Sequence, residues 1–376
     1  MTDSTNVQPV KPVPRPTETL YNLTVVLRIR PLSSEEKSEG SYVIAYKLDE
    51  RVVVLRDAFD VMTKQPNVRE KHFLFDRTIG ADANQKEVYD RTTKSLIHGL
   101  FDGYNATVFA YGATGSGKTY TMVGTSEKPG LMARALDDVY KQVKATEPET
   151  GPEYDIRMSY LELYNEQIRD LLEPNSGVLE LREDMHGSVQ VAGLTEIKAT
   201  SARDLLEHLI ESNRRRSTEA SQAHEMSSRS HAVLIVNVTL KPELESKPEY
   251  QERHKIGRLM LIDLAGSEKL DGEANEQRTK EGAHINRSLL ALGNVINTLT
   301  EKGVKYVNYR DSKLTRLLKD SFGGKSVTVM IATVSPASSR YEETRNTLLY
   351  ADRAKHISNK ASAFNLLSKN PLSEIY

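Results

Sequence analysis

Cysteine is absent from the 376 residues of this chain. Its absence excludes disulfide bonds, thiolate metal sites and a cysteine nucleophile. Long apolar runs are missing too, because no segment reaches the length of a membrane span and no signal-peptide core follows Met1. We therefore expect a soluble protein of the cytoplasm, without a membrane partner.

A strong charge of either sign is also missing, since 51 lysines and arginines oppose 52 aspartates and glutamates. Proteins that bind nucleic acid usually carry a marked basic excess, which this composition lacks. We expect no nucleic-acid partner, and any electrostatic partner must bind a local charged patch.

The order of apolar and polar segments predicts one folded domain. Residues 1–20 carry four prolines among small polar residues, which indicates a disordered leader. No linker and no repeat interrupts the chain from there to Ile357. Strand-like runs alternate with helical patterns, which is typical of an α/β sheet covered by helices. The predicted strands are Leu23–Leu32, 106–111, 233–240, 258–263 and 327–334.

Two helices are predicted late in the chain. The first covers Gly282–Gly303, with Gly303 as its C-cap and an apolar stripe formed by Ile285, Leu289, Leu292, Ile296 and Leu299. The second should begin with Asp311 as its N-cap and end at Gly323. Its core-facing residues are Leu314, Leu317 and Leu318.

A glycine-rich segment, GATGSGKT at residues 112–119, matches the phosphate-binding pattern G-x-x-x-x-G-K-[ST]. It follows an apolar strand and precedes a predicted helix start, which is the context that the pattern needs. Its glycines let backbone N–H groups converge on phosphate oxygens. Lys118 would reach the β- and γ-phosphates, and the Thr119 hydroxyl would ligate Mg²⁺. A plain glycine-rich turn is the alternative.

The segment LMLIDLAGSE at 259–268 ends an apolar strand with a carboxylate. Asp263 could act on a water of the Mg²⁺ shell, and the Gly266 N–H could meet the γ-phosphate. Alone, such a strand end is more often ordinary sheet. Beside the phosphate-binding segment it favours a nucleoside triphosphatase.

The polar run HEMSSRSH at 224–231 would by itself be a surface loop. Its SSRSH, together with GATGSGKTYTM, DLAGSE, HINRSLLALGNVI and YRDSKLTRLLKDSFGG, resembles the kinesin motor domain. The similarity runs from about Leu23 to Ile357. The segments REKHFLFD and LELREDMHGSVQVAGLTE, and the long stretch 57–72, are most similar to the kinesin-8 subfamily.

The resemblance implies a P-loop NTPase-type α/β fold, with a central, mostly eight-stranded mixed sheet and three main helices on each face. It implies a motor domain over 21–357, followed by a neck linker and the start of the neck over 358–376. Any dimerisation would come from segments beyond this chain.

The resemblance also implies ATP and Mg²⁺ as the bound groups. Arg28 and Pro31 would flank the adenine, with Tyr120 stacked on it. The expected nucleotide contacts are Arg28, Pro31, Gly112, Ala113, Thr114, Gly115, Ser116, Gly117, Lys118, Thr119 and Tyr120. The expected metal contacts are Thr119, Ser228 and, through water, Asp263.

HEMSSRSH would form switch I and DLAGSE switch II of the motor. The hydroxyls of Ser228 and Ser230 would approach the metal and the γ-phosphate only while ATP is bound. Arg229 and Glu268 would pair over the attacking water, which Glu268 would orient and deprotonate. The expected catalytic set is Ser228, Arg229, Ser230, Gly266 and Glu268.

One position departs from the family pattern, because His224 stands where switch I usually has asparagine. An imidazole can still hydrogen-bond a phosphate oxygen, although its size and protonation differ. Either it alters the order of the loop, or it lies just outside the contact.

Basic residues recur between positions 302 and 325, where the resemblance places the track-binding face. A local cationic strip suits the acidic surface of tubulin, with binding that weakens as salt rises. A solvated helix face is the alternative. The expected microtubule contacts are Lys302, Lys305, Arg310, Lys313, Arg316 and Lys319, and a second candidate set is Lys64, Arg69, Lys71 and His72.

The resemblance thus implies a microtubule-stimulated ATPase associated with the cytoskeleton that moves toward the plus end. It also suggests depolymerising or length-regulating activity at microtubule ends. A non-motile microtubule-end binder or depolymerase of the same fold is the alternative. A P-loop ATPase that serves another polymer is disfavoured by the SSRSH and YRDSKLTRLL segments.

Overall fold

The structure is a computed structural model of the chain. It describes residues 19–65, 67–146, 154–183, 188–198, 201–222, 228–240, 253–268, 276–301, 303, 306–361 and 365–367.

Seventeen strands occur within these ranges. They are β1 Thr19–Asn22, β2 Thr24–Ile29, β3 Ala45–Lys47, β4 Val52–Arg56, β5 Glu70–Leu74, β6 Arg77–Ile79, β7 Asn105–Tyr111, β8 Tyr154–Tyr164, β9 Gln167–Asp170, β10 Val178–Glu183, β11 Val189–Ala192, β12 Ile197–Lys198, β13 His231–Leu240, β14 Arg253–Asp263, β15 Ser326–Val334, β16 Ser358–Ala361 and β17 Asn365–Leu367.

Eleven α-helices accompany them in the described ranges. They are α1 Ser34–Ser38, α2 Ala58–Met62, α3 Gln85–Thr92, α4 Lys94–Phe101, α5 Lys118–Met122, α6 Leu131–Thr146, α7 Ala202–Gln222, α8 Glu276–Thr300, α9 Lys313–Leu317, α10 Lys319–Phe322 and α11 Tyr341–Ala354.

The central sheet follows the order β11-β10-β9-β8-β13-β14-β7-β15-β2-β6. From β14 to β6 the neighbouring strands are parallel, and from β14 to β11 they are antiparallel. This confirms the predicted mixed α/β sheet. The body of eight strands runs from β9 to β6, and the β10–β11 hairpin with β12 and β17 extends it to twelve.

The sheet separates two apolar cores. Helices α4, α6 and α7, with α3, bury their apolar stripes against one face, and α8, α9 and α11 cover the other. Leu136, Leu292, Leu314 and Leu348 are all fully buried, and each such burial contributes about 2 kcal/mol. The implied arrangement of three main helices on each face is confirmed.

The first predicted late helix is confirmed in type and extends further at its start. Helix α8 begins at Glu276 and ends at Thr300, and Gly303 follows with a φ of 82° that favours glycine. Leu289, Leu292 and Ile296 are buried as the stripe predicted. The side chain of Ile285 lies outside the described part of the chain.

The predicted start of the second helix was wrong. Asp311 ends a 3₁₀ turn, and the N-cap is Ser312, whose hydroxyl accepts from the Thr315 N–H. Local side-chain capping at Ser312 therefore decides where the helix begins. The helix also breaks at Leu318 into α9 and α10, while Gly323 ends it as predicted.

Both ends of the described chain pair with other strands. Strand β1 pairs antiparallel with β16, with Thr19 opposite Ala361, and β17 pairs with β14. The predicted boundary at residue 20 therefore falls inside β1. The predicted start of the neck linker at 358 coincides with the start of β16.

Candidate active site

The carboxyl ends of β7 and β14 bring the two phosphate-site segments together. These strands are parallel neighbours, with Asp263 opposite Ala110. The chain leaving β7 is the glycine-rich segment 112–119, called the P-loop below. Parallel strands deliver their following loops to the same edge of a sheet, which is where α/β folds place ligands.

The P-loop backbone is shaped by glycine. A side chain at Gly112 would place its Cβ 2.2 Å from the Thr333 carbonyl oxygen, and Gly117 has a φ of 101°. The loop borders a cavity of about 1090 Å³, which is large enough for a nucleotide. The predicted residues that line this cavity are Arg28, Pro31, Ala113, Thr114, Gly115, Ser116, Gly117, Lys118, Thr119, Tyr120 and Ser228.

Lys118 folds back onto the P-loop. Its Nζ donates to the carbonyl oxygens of Gly112 and Ala113, both at 2.9 Å. Burial lowers the pKa of Lys118, while the nearby carboxylates of Asp263 and Glu268 oppose that shift. The cation is thus held beside the cavity.

Two residues beside the cavity, Thr119 and Asp263, offer oxygens that fit a divalent cation. The Thr119 hydroxyl donates to Asp263 Oδ2 at 2.7 Å. Asp263 Oδ1 is buried and accepts no hydrogen bond from the described residues. A buried carboxylate oxygen with spare capacity beside a threonine hydroxyl is the donor set that Mg²⁺ prefers.

The two switch segments are bonded to each other, and switch II is also bonded to the P-loop. The Gly266 N–H donates to the Ser228 carbonyl at 2.9 Å, and the Ser267 N–H donates to the Gly112 carbonyl at 3.1 Å. The Gly266 N–H that we expected at the γ-phosphate therefore has a protein acceptor here. A phosphate contact would replace that bond.

Glu268 is bound to the P-loop. Its carboxylate accepts from the Thr114 backbone N–H at 2.7 Å and also from the Thr114 hydroxyl. Orienting a water would require these bonds to exchange. The pairing of Glu268 with the half-buried Arg229 stays a prediction.

Ser230 lies behind the cavity in a buried ionic cluster. Its hydroxyl donates to Glu162 at 2.5 Å and accepts from Arg216 at 3.0 Å. Arg216 also pairs with Glu162 at 3.0 Å and lies 3.7 Å from Asp263. The predicted phosphate role of Ser230 stays untested, and the structure links it to the metal-side carboxylate through Arg216.

His231, the last residue of SSRSH, is bonded on both sides of its ring. The Ala265 N–H donates to Nδ1 at 3.0 Å, and Nε2 lies 2.9 Å from the Ser288 hydroxyl. Burial lowers the pKa of His231 to about 3, and the positive charges of Arg216 and Lys118 act in the same direction. The ring is therefore neutral and joins switch II to α8.

Arg28 and Tyr120 meet on the predicted adenine side. The Arg28 guanidinium lies 5.3 Å from the centre of the Tyr120 ring and donates to Gln85 at 3.0 Å and Thr121 at 2.8 Å. Burial lowers the pKa of Arg28. The two residues are close enough to shape one side of a base pocket, with Gln85 as a partner that the sequence did not reveal.

Arg30 is a second residue that sequence reasoning missed. Its Nε donates to the Gly115 carbonyl of the P-loop at 2.6 Å, and its guanidinium binds Glu36 in a bidentate pair at 2.5 and 2.6 Å. Glu36 also closes a capping box with Ser33 at the start of α1. The S-x-x-E spacing of Ser33 and Glu36 was the available signal.

The predicted cationic strip is partly neutralised by the β10–β11 hairpin. Lys313 pairs with Glu180 at 3.1 Å, and Lys319 pairs with Glu183 at 2.5 Å. Arg310 lies 4.0 Å from Glu183, and Arg316 lies close enough to lower the pKa of that carboxyl, after the stronger contribution of Lys319. These cations do form one surface, although with acidic residues interleaved.

Two of the four microtubule-contact candidates in the early loop, Arg69 and His72, lie beside carboxylates of this chain. Arg69 binds Asp60 at 2.8 Å and Asp57 at 3.2 Å, and His72 lies 3.6 Å from Glu70. Helix α2 instead presents exposed apolar side chains, since Phe59 and Met62 are 61% and 60% exposed. Lys64 and Lys71 are exposed.

Several predicted residues fall outside the described ranges, namely His224, Ser227, Lys302 and Lys305. Within those ranges, no helix is both long and apolar enough to cross a membrane. No group of three or more histidine or acidic side chains able to hold a metal ion occurs among the same residues.

The chain is similar to curated proteins over most of its length. It is 54% identical over 351 residues to the kinesin-like protein KIF19 of Homo sapiens, covering 92% of this chain and 35% of that protein. It is 48% identical over 345 residues to the kinesin-like protein KIN-8B of Arabidopsis thaliana, covering 89% and 41%. The chain therefore spans well under half the length of these relatives.

Solved structures agree with the sequence matches. A fast kinesin superposes with a TM-score of 0.82 at 35% identity, over 94% of this chain and 97% of that one. A KIF14 dimer with AMP-PNP in complex with a microtubule superposes with a TM-score of 0.81 at 36% identity, over 92% and 96%. The family model of the kinesin motor domain matches residues 28–357, and this chain therefore belongs to the kinesin motor domain family.

Proposed function

We propose that this chain is a microtubule-stimulated ATPase motor domain that binds ATP with Mg²⁺ and moves toward the microtubule plus end. The observation that carries this proposal is that switch II bonds both to switch I and to the P-loop. Gly266 binds Ser228, and Ser267 binds Gly112, so a change at the phosphates must alter both segments together.

The site residues have separate roles in ATP hydrolysis. Lys118 supplies positive charge to the β- and γ-phosphates, and the P-loop N–H groups fix their position. Mg²⁺ at Thr119 and Asp263 would neutralise phosphate charge. Glu268 exchanges Thr114 for a water and orients it, because phosphoryl transfer depends mainly on positioning and electrostatic stabilisation.

The last two described strands, β16 and β17, would provide the moving part. Strand β16 pairs with β1, and β17 pairs with β14. The β1–β16 pair is a two-stranded ribbon, and β17 adds only three residues beside β14, so both pairings cost little to break. Docking and release of this segment with the nucleotide state would move whatever follows it, which is the output of a motor.

Activity at microtubule ends is the finer part of the proposal. The kinesin-8 relatives and the exposed Phe59 and Met62 of α2 support it, since exposed apolar side chains beside charged ones suit a protein contact. A non-motile end binder or depolymerase remains the second candidate, favoured by the same surface.

ATP turnover with and without microtubules at low salt tests the proposal. Strong stimulation supports the motor, and tight binding without turnover supports the non-motile candidate. Indifference to microtubules contradicts both. Gliding assays then separate movement from end shortening.

Glu268→Ala tests the hydrolytic assignment. It should bind ATP and lose steady-state turnover by about 100-fold or more, the scale of a lost catalytic group. Glu127→Ala removes an exposed carboxylate at the rim of the same cavity and should keep turnover. Normal hydrolysis by Glu268→Ala would remove Glu268 from the mechanism.

A further inference from the structure

We propose that His231 is a positioning residue that couples switch II to helix α8 through two hydrogen bonds on opposite sides of its ring. This inference rests on the proposed ATPase and microtubule functions. It assigns to one side chain the connection between the nucleotide site and the helix that precedes the basic strip.

The hydrogen-bond directions are fixed by chemistry. A backbone N–H can only donate, so Nδ1 of His231 must accept from Ala265 at 3.0 Å. The neutral ring then carries its proton on Nε2, which donates to the Ser288 hydroxyl at 2.9 Å. Protonation of Nδ1 would abolish the Ala265 bond, and the buried site opposes that charge.

The three bonded residues lie on three different structural units. His231 begins β13 and is paired with Leu163 of β8 in the middle of the sheet. Ala265 lies between Asp263 and Gly266 in switch II, and Ser288 lies on α8. The sheet is the fixed body, so both mobile units are held by the same anchored ring.

Burial makes the two bonds depend on each other. His231, Ala265 and Ser288 are 2%, 1% and 3% exposed, so water cannot replace a lost partner there. If switch II withdraws Ala265, the acceptor Nδ1 is left without a donor, at a cost of about 1–3 kcal/mol. Ring reorientation relieves that cost and releases Ser288. Leu289 and Leu292, on the same helix as Ser288, are packed in the core. Because these side chains move together with Ser288, α8 shifts as a unit.

Side-chain substitutions can remove each bond separately. Ser288→Ala removes the hydrogen bond between the ring and α8. His231→Asn keeps an acceptor near the Nδ1 position and loses reach to Ser288, whereas His231→Gln keeps a donor near Nε2 and loses the Ala265 bond. Ser326→Ala is the matched control, because Ser326 is an equally buried hydroxyl that bonds Thr107 on the sheet.

The measured quantity is the ratio of microtubule affinities with AMP-PNP and with ADP, which is the coupling between the two sites. Ser288→Ala should keep basal ATPase near the wild-type rate, and both Ser288→Ala and His231→Asn should reduce this ratio about three- to tenfold, the scale of one hydrogen bond. The double variant should show no further reduction. Ser326→Ala should keep the ratio even if its melting temperature falls.

Hydrogen exchange of the α8 amides, with AMP-PNP and with ADP but without microtubules, gives a second readout. The nucleotide-dependent difference of the wild type should disappear in Ser288→Ala. A wild type that neither turns over ATP nor binds microtubules would instead contradict the proposed function. A coupled wild type with an unchanged ratio and unchanged exchange in Ser288→Ala would overturn the role of His231.

Discussion

The Glu36 carboxylate binds the Arg30 guanidinium, which in turn donates to the P-loop carbonyl of Gly115. The hydrogen bond from Arg30 is the main reason that the pKa of Glu36 is lowered to about 2, and the Ser33 N–H and the Ser335 hydroxyl act in the same direction. Burial opposes them. The ionised carboxylate is therefore part of the folded structure.

Acid should remove this contribution. The folded pKa of about 2 lies below the unfolded value of about 4.3, so the stabilisation is complete above that value and is lost as pH falls toward 2. We expect Glu36→Gln to lower the free energy of unfolding by roughly 2–3 kcal/mol at pH 7. Urea unfolding of the wild type and of Glu36→Gln at pH 7, 5 and 4 measures this difference in the free energy of unfolding. The difference should be smallest at pH 4.

The neighbouring Glu35 provides the control for that measurement. It is exposed on the same helix, and Glu35→Gln should change stability by a few tenths of a kcal/mol. A deficit for Glu36→Gln that stays constant from pH 7 to pH 4 would show that packing, and not charge, is what the substitution removes.

Arg216 is a second single residue whose charge matters, because it lies beside the buried carboxylates of Glu162 and Asp263. Its side chain is 5% exposed, and those of Glu162 and Asp263 are 4% and 2% exposed. Arg216→Met should lower the free energy of unfolding by about 3–5 kcal/mol, because it leaves buried charge unpaired. Adding Glu162→Met should recover part of this loss in the same denaturation assay, and additive losses would contradict the pairing.

At the scale of elements, the β10–β11 hairpin lies against the basic strip with carboxylates that compete for its cations. Glu180 and Glu183 hold Lys313 and Lys319, as acidic groups of tubulin would. Glu180→Gln with Glu183→Gln should therefore tighten microtubule binding severalfold at low salt and steepen its salt dependence. Cosedimentation over a range of salt concentrations measures both effects.

Charge-matched substitutions on another element test whether net charge alone is responsible. On α7, Glu207 is exposed and Glu211 is half-buried, and both pair with arginines of the same helix. Glu207→Gln with Glu211→Gln should leave microtubule affinity nearly unchanged. Equal tightening by both pairs of substitutions would contradict local competition.

The sequence predicted this part of the fold incompletely for a physical reason. Lys313 and Glu180 are 133 residues apart, and no local pattern reports an ion pair at that separation. In contrast, the apolar stripe of α8 and the strand before the P-loop were predicted, since helical period and glycine spacing are local. The N-cap at Ser312 was missed because Asp311 and Ser312 are both good caps, and backbone geometry selects between them.

The same division holds at the candidate site. The motifs predicted which residues line the cavity, whereas Arg30, Gln85 and Arg216 emerged only from contacts across the sheet. The bond of Gly266 to Ser228 likewise depends on how two distant loops meet. The spacing within a motif predicts which residues lie at the site, whereas the hydrogen-bond partners of those residues are set by the tertiary structure.

At the scale of the whole molecule, the proposed motor would transmit force through a ribbon formed by residues near the two ends of the described chain. Residues Thr19–Asn22 pair with Ser358–Ala361, and the adjoining Leu23 N–H donates to the Ile357 carbonyl at 2.9 Å. The ribbon lies outside the central sheet. A two-stranded ribbon is marginal alone, so it can form and dissolve with the nucleotide state.

Deletion of residues 1–22 should therefore slow microtubule gliding severalfold while microtubule-stimulated ATPase stays near the wild-type rate, because the nucleotide site keeps all of its contacts. Deletion of residues 1–18 is the matched control, since it leaves β1 intact and should glide at the wild-type speed. Equal slowing by both deletions would assign the effect to the leader. Unchanged gliding after deletion of 1–22 would mean that β16 transmits force without its partner strand.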